Sequence, residues 1–444
     1  MPHRVLIIGG GISGLSAAYY LNRAGIRPTL IEKAPRLGGV IHTTTQQGCV
    51  LEAGPDSFLA AKPAAMDLIR ELGLEHQVIG SNDHQRVVFI LKHGKLVPLP
   101  DGMMMMVPTK LMPLAGTRLL GWGTKLRMGF EFLRRPNGSQ PDRSVHEFLL
   151  DHYNEEAIDY LAEPLLAGVY GGDPKQLSAN SVLPRFVEIE TKYGSLTRGV
   201  VANPRPKGSG SLFKTLKNGL GQLVDALRSS ADIIHGAVEA IERTGGGFRV
   251  RTNGNWMESE QIVLATRAVD AAGLLESINA ELADLLGSIP YNSSLTLSLG
   301  YRKDNFDYSL KGFGFLVPKR ERKYVAACTC VGNKFNHRVP DDMVLLRCFM
   351  GGDALQENDE ALVQIARQEL QSVLGIEAEP AFHSVSRWPN AMAQYTVGHE
   401  QRVQRIESIL NGIPGLHLAG NAYYGIGIPD CIKMGKEAAA KITS

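Results

Sequence analysis

Only five cysteines are spread through the 444 residues: Cys49, Cys328, Cys330, Cys348 and Cys431. The set is odd and scattered, and it contains no C-x-x-C pair, which excludes a disulfide framework. No histidine pair stands near Cys328 and Cys330 at metal-ligand spacing, so buried free thiols in a reducing, cytosolic compartment are expected and no metal site. Charge of one sign is equally scarce. The 47 Lys and Arg against 45 Asp and Glu leave a formal charge of +2, and without a basic block this excludes a nucleic-acid binder. No apolar stretch is long enough for a bilayer span except residues 5–21, which a glycine cluster interrupts. A secretory signal fits that stretch badly: only Arg4 precedes it, and Glu32 and Lys33 close the segment that follows. Hydrophobic residues at 44% and charged residues at 21% are those of an ordinary globular chain with more than one structural unit.

What the chain does have is a glycine-rich start. Arg4-Val5-Leu6-Ile7-Ile8 is a β-branched run, and Gly9-Gly10-Gly11-Ile12-Ser13-Gly14 follows it directly. Leu15, Ala18 and Leu21 then recur at helical spacing, and Pro28-Thr29-Leu30-Ile31 leads to Glu32. This is a strand–turn–helix–strand unit. Gly9 permits the sharp turn, Gly11 lets backbone approach a pyrophosphate, and Gly14 lets the helix pack closely on the strand. The helix start offers unpaired N–H groups to phosphate, and Glu32 stands where a carboxylate accepts ribose hydroxyls. An adenine dinucleotide is expected here.

Further along, the paired Gly38-Gly39 and the run Glu52-Ala53-Gly54-Pro55-Asp56-Ser57 lie close enough to the fingerprint to reach the same cofactor. A helix is expected over Lys62–Gly73, and a hairpin at Val87–Leu91 and Lys95–Leu99. From Met103–Met106 to Phe132 the chain is apolar, Met-rich and mostly helical in pattern, with Arg118, Lys125, Arg127, Arg134 and Arg135 interleaved. That stretch either touches a membrane surface, lines a pocket for a large flat ligand, or is a helical core with Met as filler. Asn203–Gly210 reads as a linker. Beyond it, a helix at Gly219–Leu227 and strands at Ile233–Val238, Phe248–Arg251 and Ile262–Ala265 return to the α/β pattern. Strands at Ser294–Gly300, Val325–Cys330 and Val344–Met350 and a helix at Glu360–Leu374 form another unit. At the end, Gly425-Ile426-Gly427-Ile428-Pro429-Asp430 opens a helix and offers a second anion-stabilising start. The expected division is therefore a dinucleotide-binding domain in three pieces (1–80, 203–290, 381–444), a mostly helical insert (81–202) and a substrate-domain sheet (291–380).

These motifs, with Arg36-Leu37-Gly38-Gly39 and Leu418-Ala419-Gly420-Asn421, resemble the flavin-dependent amine oxidase and phytoene desaturase superfamily. Glu52–Ser57, Leu99–Gly102, Pro164–Pro174, Lys192–Leu196, Arg387–Ala391 and Tyr424–Asp430 are similar to the porphyrinogen oxidases of haem biosynthesis. The resemblance runs from Val5 to about Ile442 and implies an α/β fold, with a discontinuous Rossmann-like (GR2-type) FAD-binding domain and an α+β substrate domain. It implies FAD as cofactor, oxygen as acceptor and a cyclic tetrapyrrole as substrate. FAD contacts carry over to Gly9, Gly10, Gly11, Ile12, Ser13, Gly14, Glu32, Lys33, Gly39, Gly54, Pro55, Asp56, Ser57, Val238, Trp388, Gly427, Ile428, Pro429 and Asp430. Relatives often have Lys or Arg directly after the paired glycines, where this chain has Val40; the polar role then falls to His42.

In this reading the flavin carries the chemistry, and the Ile428–Asp430 helix start stabilises developing negative charge; no general base stands out. Lys62, Arg185, Lys192 and Arg198 are candidate partners for substrate propionates. Ala326–Cys330, Asn333–Phe335 and Leu345–Phe349 look more like the soluble bacterial coproporphyrinogen enzymes than the membrane-bound protoporphyrinogen ones. The chain is expected in the cytoplasm, with membrane association and a homo-oligomer left open. Amine oxidases and carotenoid desaturases share the terminal motifs but not Gly54–Ser57 or Pro164–Pro174. Prenyl-binding carriers (Rab escort and GDP-dissociation-inhibitor proteins) share the architecture without the flavin.

Overall fold

The structure, a computed structural model, describes residues 4–136, 138–204, 210–306 and 311–444. Most of the expected linker, residues 205–209, lies outside them. The chain opens with β1 (Val5–Ile8), α1 (Ile12–Arg23) and β2 (Thr29–Glu32), followed by a hairpin, β3 (Thr43–Gln46) and β4 (Cys49–Glu52). A second hairpin, β5 (Val88–Lys92) and β6 (Lys95–Pro98), precedes the helical segment with α2 (Trp122–Glu131), α3 (Val145–His152) and α4 (Pro184–Tyr193). Then come β7 (Asp232–His235), β8 (Gln261–Leu264), β9 (Tyr291–Arg302), β10 (Gly314–Leu316), β11 (Val325–Cys330) and β12 (Met343–Met350). β13 (Phe382–Ala393), β14 (Leu416–Leu418) and α5 (Ile428–Thr443) close the chain.

Two sheets organise these elements. The first is parallel throughout, in the order β7-β2-β1-β8-β14, and takes strands from both ends of the chain and from its middle. Its strands read as continuous apolar runs because both faces are covered, and β1 is buried along its whole length. The second sheet has seven strands in the order β13-β9-β12-β11-β10-β5-β6, antiparallel except for β10 on β5. On β9 the period of two is plain. Leu295, Leu297 and Leu299 enter one apolar core, while the Thr296 hydroxyl donates to the Ala53 carbonyl from the other face.

The sheet crosses the divisions expected from the sequence. The β5–β6 hairpin, inside 81–202, is one edge of the seven-stranded sheet. The strand carrying Trp388, inside 381–444, is its other edge. The Met run is not helical: Met103–Met104 pairs with Val107–Pro108 around Met105, whose φ of 51° is left-handed. The core-filler reading holds in part, since Met106 and Met128 are buried while Met112 is exposed. All five cysteines are buried and free.

The helical segment is pinned by buried charge. His152 bridges Glu131 (3.0 Å) and Glu190 (3.1 Å), and Glu131 also accepts the N–H groups of Leu196 and Thr197 at the start of the next helix. Burial disfavours the imidazolium, but the two carboxylates outweigh it and raise the His152 pKa. Its stabilisation is therefore complete below the unfolded value of about 6.5 and is lost as pH rises through the folded value. The Glu131 and Glu190 pKa values are lowered, burial being outweighed by hydrogen bonds, so their share is lost on the acid side. The unfolding temperature should fall as pH rises above about 6.5, and His152→Gln should flatten that alkaline limb. Equal slopes in the two proteins would contradict this assignment.

Candidate cofactor and active site

The site is built from two glycine-led helix starts. Gly9, at φ 108°, turns the chain out of β1, and a Cβ there would lie 2.5 Å from the Ala265 carbonyl oxygen. Gly14 is as constrained by space, since its Cβ would meet the Gly9 oxygen at 2.0 Å. Gly11 is different. It caps α1 in an ordinary extended conformation, no side chain caps the helix, and a Cβ added there would meet nothing within 4 Å. The first-turn N–H groups of α1 thus face open space.

Glu32 at the end of β2 is fixed by two backbone donors, Gly10 N–H to one carboxylate oxygen (2.6 Å) and Ala34 N–H to the other (2.7 Å). It holds the glycine turn closed while each oxygen keeps a lone pair free. Gly38 N–H donates to the Gly10 carbonyl at 2.7 Å, which lays the second glycine turn against the first. Arg36 wraps that second turn, donating to the carbonyls of Leu37, Gly39 and Ile41, and its guanidinium stacks on Trp388 at 5.7 Å. The Trp388 indole N–H in turn donates to the Ala53 carbonyl at 2.7 Å. The structure therefore gathers the Gly38–Gly39 turn, Ala53-Gly54 and Trp388 around Arg36, a residue for which the sequence suggested no role.

The far end of the chain reaches the same place. α5 crosses α1 so closely that a Cβ on Gly435 would lie 2.3 Å from the Ser13 carbonyl oxygen, and Cys431 contacts the Ser13 side chain. The start of α5 is thus brought beside the start of α1. Its Gly427 N–H is taken by Asp430 Oδ2 at 3.2 Å, and Pro429 has none, which leaves the N–H groups of Ile428 and Asp430 as the free pair. The Asp430 carboxylate caps the helix and pairs with Lys62 Nζ at 2.7 Å, so an anion placed here would meet backbone N–H groups and Lys62 and not that side chain. Tyr170, from the Pro164–Pro174 stretch, lies within electrostatic reach of Asp430; burial and that charge push its pKa up to about 12.

Other candidates fall elsewhere. Asp56 is bonded to Lys334 (2.8 Å) and lies beside Arg347, cations that outweigh burial and hold its carboxyl below the usual range. Lys33 is exposed and lies 3.8 Å from Asp270. Val238 opens the strand after β7, two residues beyond Gly236, whose N–H donates to the Glu32 carbonyl. Arg185 and Lys192 are exposed on α4, and Arg198 donates to the Arg134 and Tyr193 carbonyls; these contacts stay within the helical segment. His42 lines a polar cleft with Thr44, Ser298, Ser384 and Ser386, and burial together with Arg36 lowers its pKa, so it supplies no cation at neutral pH.

The model of the flavin-containing amine oxidoreductases matches residues 12–443. The chain belongs to this family. It is an FAD-dependent oxidoreductase. It is 33% identical to the coproporphyrinogen III oxidase of Bacillus subtilis, covering 98% of this chain and 97% of that one. It is 31% identical to the enzyme of that name from Staphylococcus aureus, over 100% and 99%. The chloroplastic protoporphyrinogen oxidase 1 of Arabidopsis thaliana is 28% identical, over 99% and 90%. Among solved structures, a 33% identical protein from Exiguobacterium sp. 255-15 superimposes with a TM-score of 0.90 over 100% of this chain and 99% of that one. Cyclohexylamine oxidase of Brevibacterium oxydans, at 16% identity and a TM-score of 0.72, shares the fold.

The flavoenzyme's residues suit its cofactor. The open side of Gly11, the uncapped start of α1 and the pinned Glu32 carboxylate are what a dinucleotide requires. The buried cations Arg338 and Arg347 were missed in the sequence. The signal for Arg347 was a lone charge in an apolar strand, Leu345-Leu346-Arg347-Cys348-Phe349.

Proposed function

We propose that this flavoenzyme oxidises coproporphyrinogen III to coproporphyrin III, passing six electrons in three rounds to oxygen and releasing three hydrogen peroxides. The observation that supports this most is full-length similarity to coproporphyrinogen III oxidases, combined with the uncapped start of α1 lying beside the start of α5. Bound FAD would supply hydride-accepting chemistry for a methylene bridge of the macrocycle. Gly9–Gly14, Glu32, Gly39, Gly54, Trp388 and Gly427–Asp430 would hold it. The helix starts would offer N–H groups to its phosphates and to negative charge on its ring. Tyr170, held protonated, and Asp430, engaged by Lys62 and Gly427, are poor acceptors, so the pyrrole proton passes to water. Of the four proposed propionate partners, Lys62 is the one beside the α5 start. Mixing FAD-loaded protein with coproporphyrinogen III without oxygen should bleach the oxidised-flavin absorbance; a spectrum that stays unchanged would refute the reading.

We also propose a peripheral contact with anionic lipid. No helix among the described residues is long and apolar enough to cross a membrane. Yet α2 and the turn after it expose Trp122 (70%), Leu126 (59%), Phe130 (67%) and Leu133 (69%) on one stripe, while Thr124, Met128 and Glu131 face inward. Arg118, Arg127 and Arg135 are exposed around it. The protein should sediment with phosphatidylglycerol vesicles, and Trp122→Ser with Phe130→Ser should weaken partitioning by about tenfold or more. Unchanged sedimentation would remove the lipid contact and leave the oxidase reading intact.

A further inference from the structure

Between β4, β9, β12 and the segment that follows β11 lies a cluster of charges that the cofactor site does not use. Arg338, 2% exposed, bonds Glu52 (3.0 Å) and the Thr215 hydroxyl (2.6 Å). Arg347, 3% exposed, donates to the Gly54 carbonyl and lies 3.8 Å from Asp56, which Lys334 also holds. Three cations therefore face two carboxylates, and an unbalanced buried charge is costly. Burial raises the Glu52 pKa, and Arg338 only partly offsets the rise.

The two guanidiniums share a second feature. The Nε–H of Arg338 and that of Arg347 find no acceptor among the described residues. Both side chains line a narrow cleft with Glu52, Asp56, Ser298 and Phe335, which has room for about one solvent-sized occupant. A wider polar cleft of about 210 Å³, lined by His42, Thr44, Ser384 and Ser386, shares Leu51, Glu52 and Ser298 with it.

We propose that this cleft binds a small monatomic anion, chloride, between the Nε–H groups of Arg338 and Arg347. A neutral water could accept from both donors but would leave the third cation uncompensated, whereas a halide satisfies the donors and the charge together. Asp56 lines the cleft and Arg347 holds the Gly54 carbonyl, so the ion would stiffen the segment that follows β4.

Crystals of the FAD-loaded protein soaked in bromide should show an anomalous difference peak within hydrogen-bonding reach of both Nε atoms. In solution, replacing chloride by gluconate at constant ionic strength should lower the unfolding temperature by about 2 °C, and Arg347→Gln should abolish that difference. A water or nothing at the anomalous position overturns the proposal, whether or not the variant folds. A wild-type protein indifferent to the exchange overturns the stabilising role.

Discussion

Gly11→Val should yield a folded, colourless protein. The position is unusual among the fingerprint glycines, because its φ of −72° suits any residue and a Cβ there meets no protein atom within 4 Å. Valine therefore costs the fold little beyond a poorer helix cap, and the unfolding temperature without flavin should stay within about 2 °C. The open volume is where a pyrophosphate must approach the α1 start, and an isopropyl group fills it. Overpacking of that kind costs about 1–3 kcal/mol or more, so FAD affinity should drop by about 10–100-fold at least. Gly14→Val could not separate the two effects, since its Cβ would collide with the Gly9 oxygen whatever is bound. Spectroscopic titration of the unliganded chain with FAD reads the difference, and a variant that purifies with a full complement of flavin would show that the dinucleotide lies elsewhere.

Glu32→Ala is the second large expected effect. The carboxylate satisfies two backbone donors, Gly10 N–H and Ala34 N–H, and both are left without it in the variant. Charge-assisted bonds of this kind contribute about 1.5–3 kcal/mol each. The variant should lose roughly 100-fold in FAD affinity through the misplaced turn and the missing ribose acceptor, and should also unfold at lower temperature without flavin. Glu32→Gln should recover part of it, because one amide oxygen still accepts. If both variants bound FAD normally, Glu32 would be a structural cap and nothing more.

What could be read in the sequence was what depends on neighbours in the chain. The Gly9–Gly14 turn, α1 and β2 follow from a local strand–helix–strand pattern and from glycines that backbone geometry demands there. The start of α5 was legible for the same reason, through Gly427, Pro429 and Asp430. The partnership of Lys62 with Asp430 was not, because 368 residues separate them and the packing of the helix Pro63–Glu71 against α5 brings them together. The Met run misled, since Met103–Met106 has helical composition while Met105 turns the chain. Arg36 stood in a quoted motif, but its task depends on Trp388, at the opposite end of the sequence. Arg198, offered by the sequence as a propionate partner, instead ties two backbone carbonyls together.

The measurement closest to the central claim is the ratio of kcat/KM on coproporphyrinogen III to that on protoporphyrinogen IX, read by porphyrin fluorescence with purified FAD-loaded protein. The account predicts a ratio well above one, with three oxygen molecules consumed per coproporphyrin formed. A ratio below one would make the protein a protoporphyrinogen oxidase, and no porphyrin from either substrate would contradict the account.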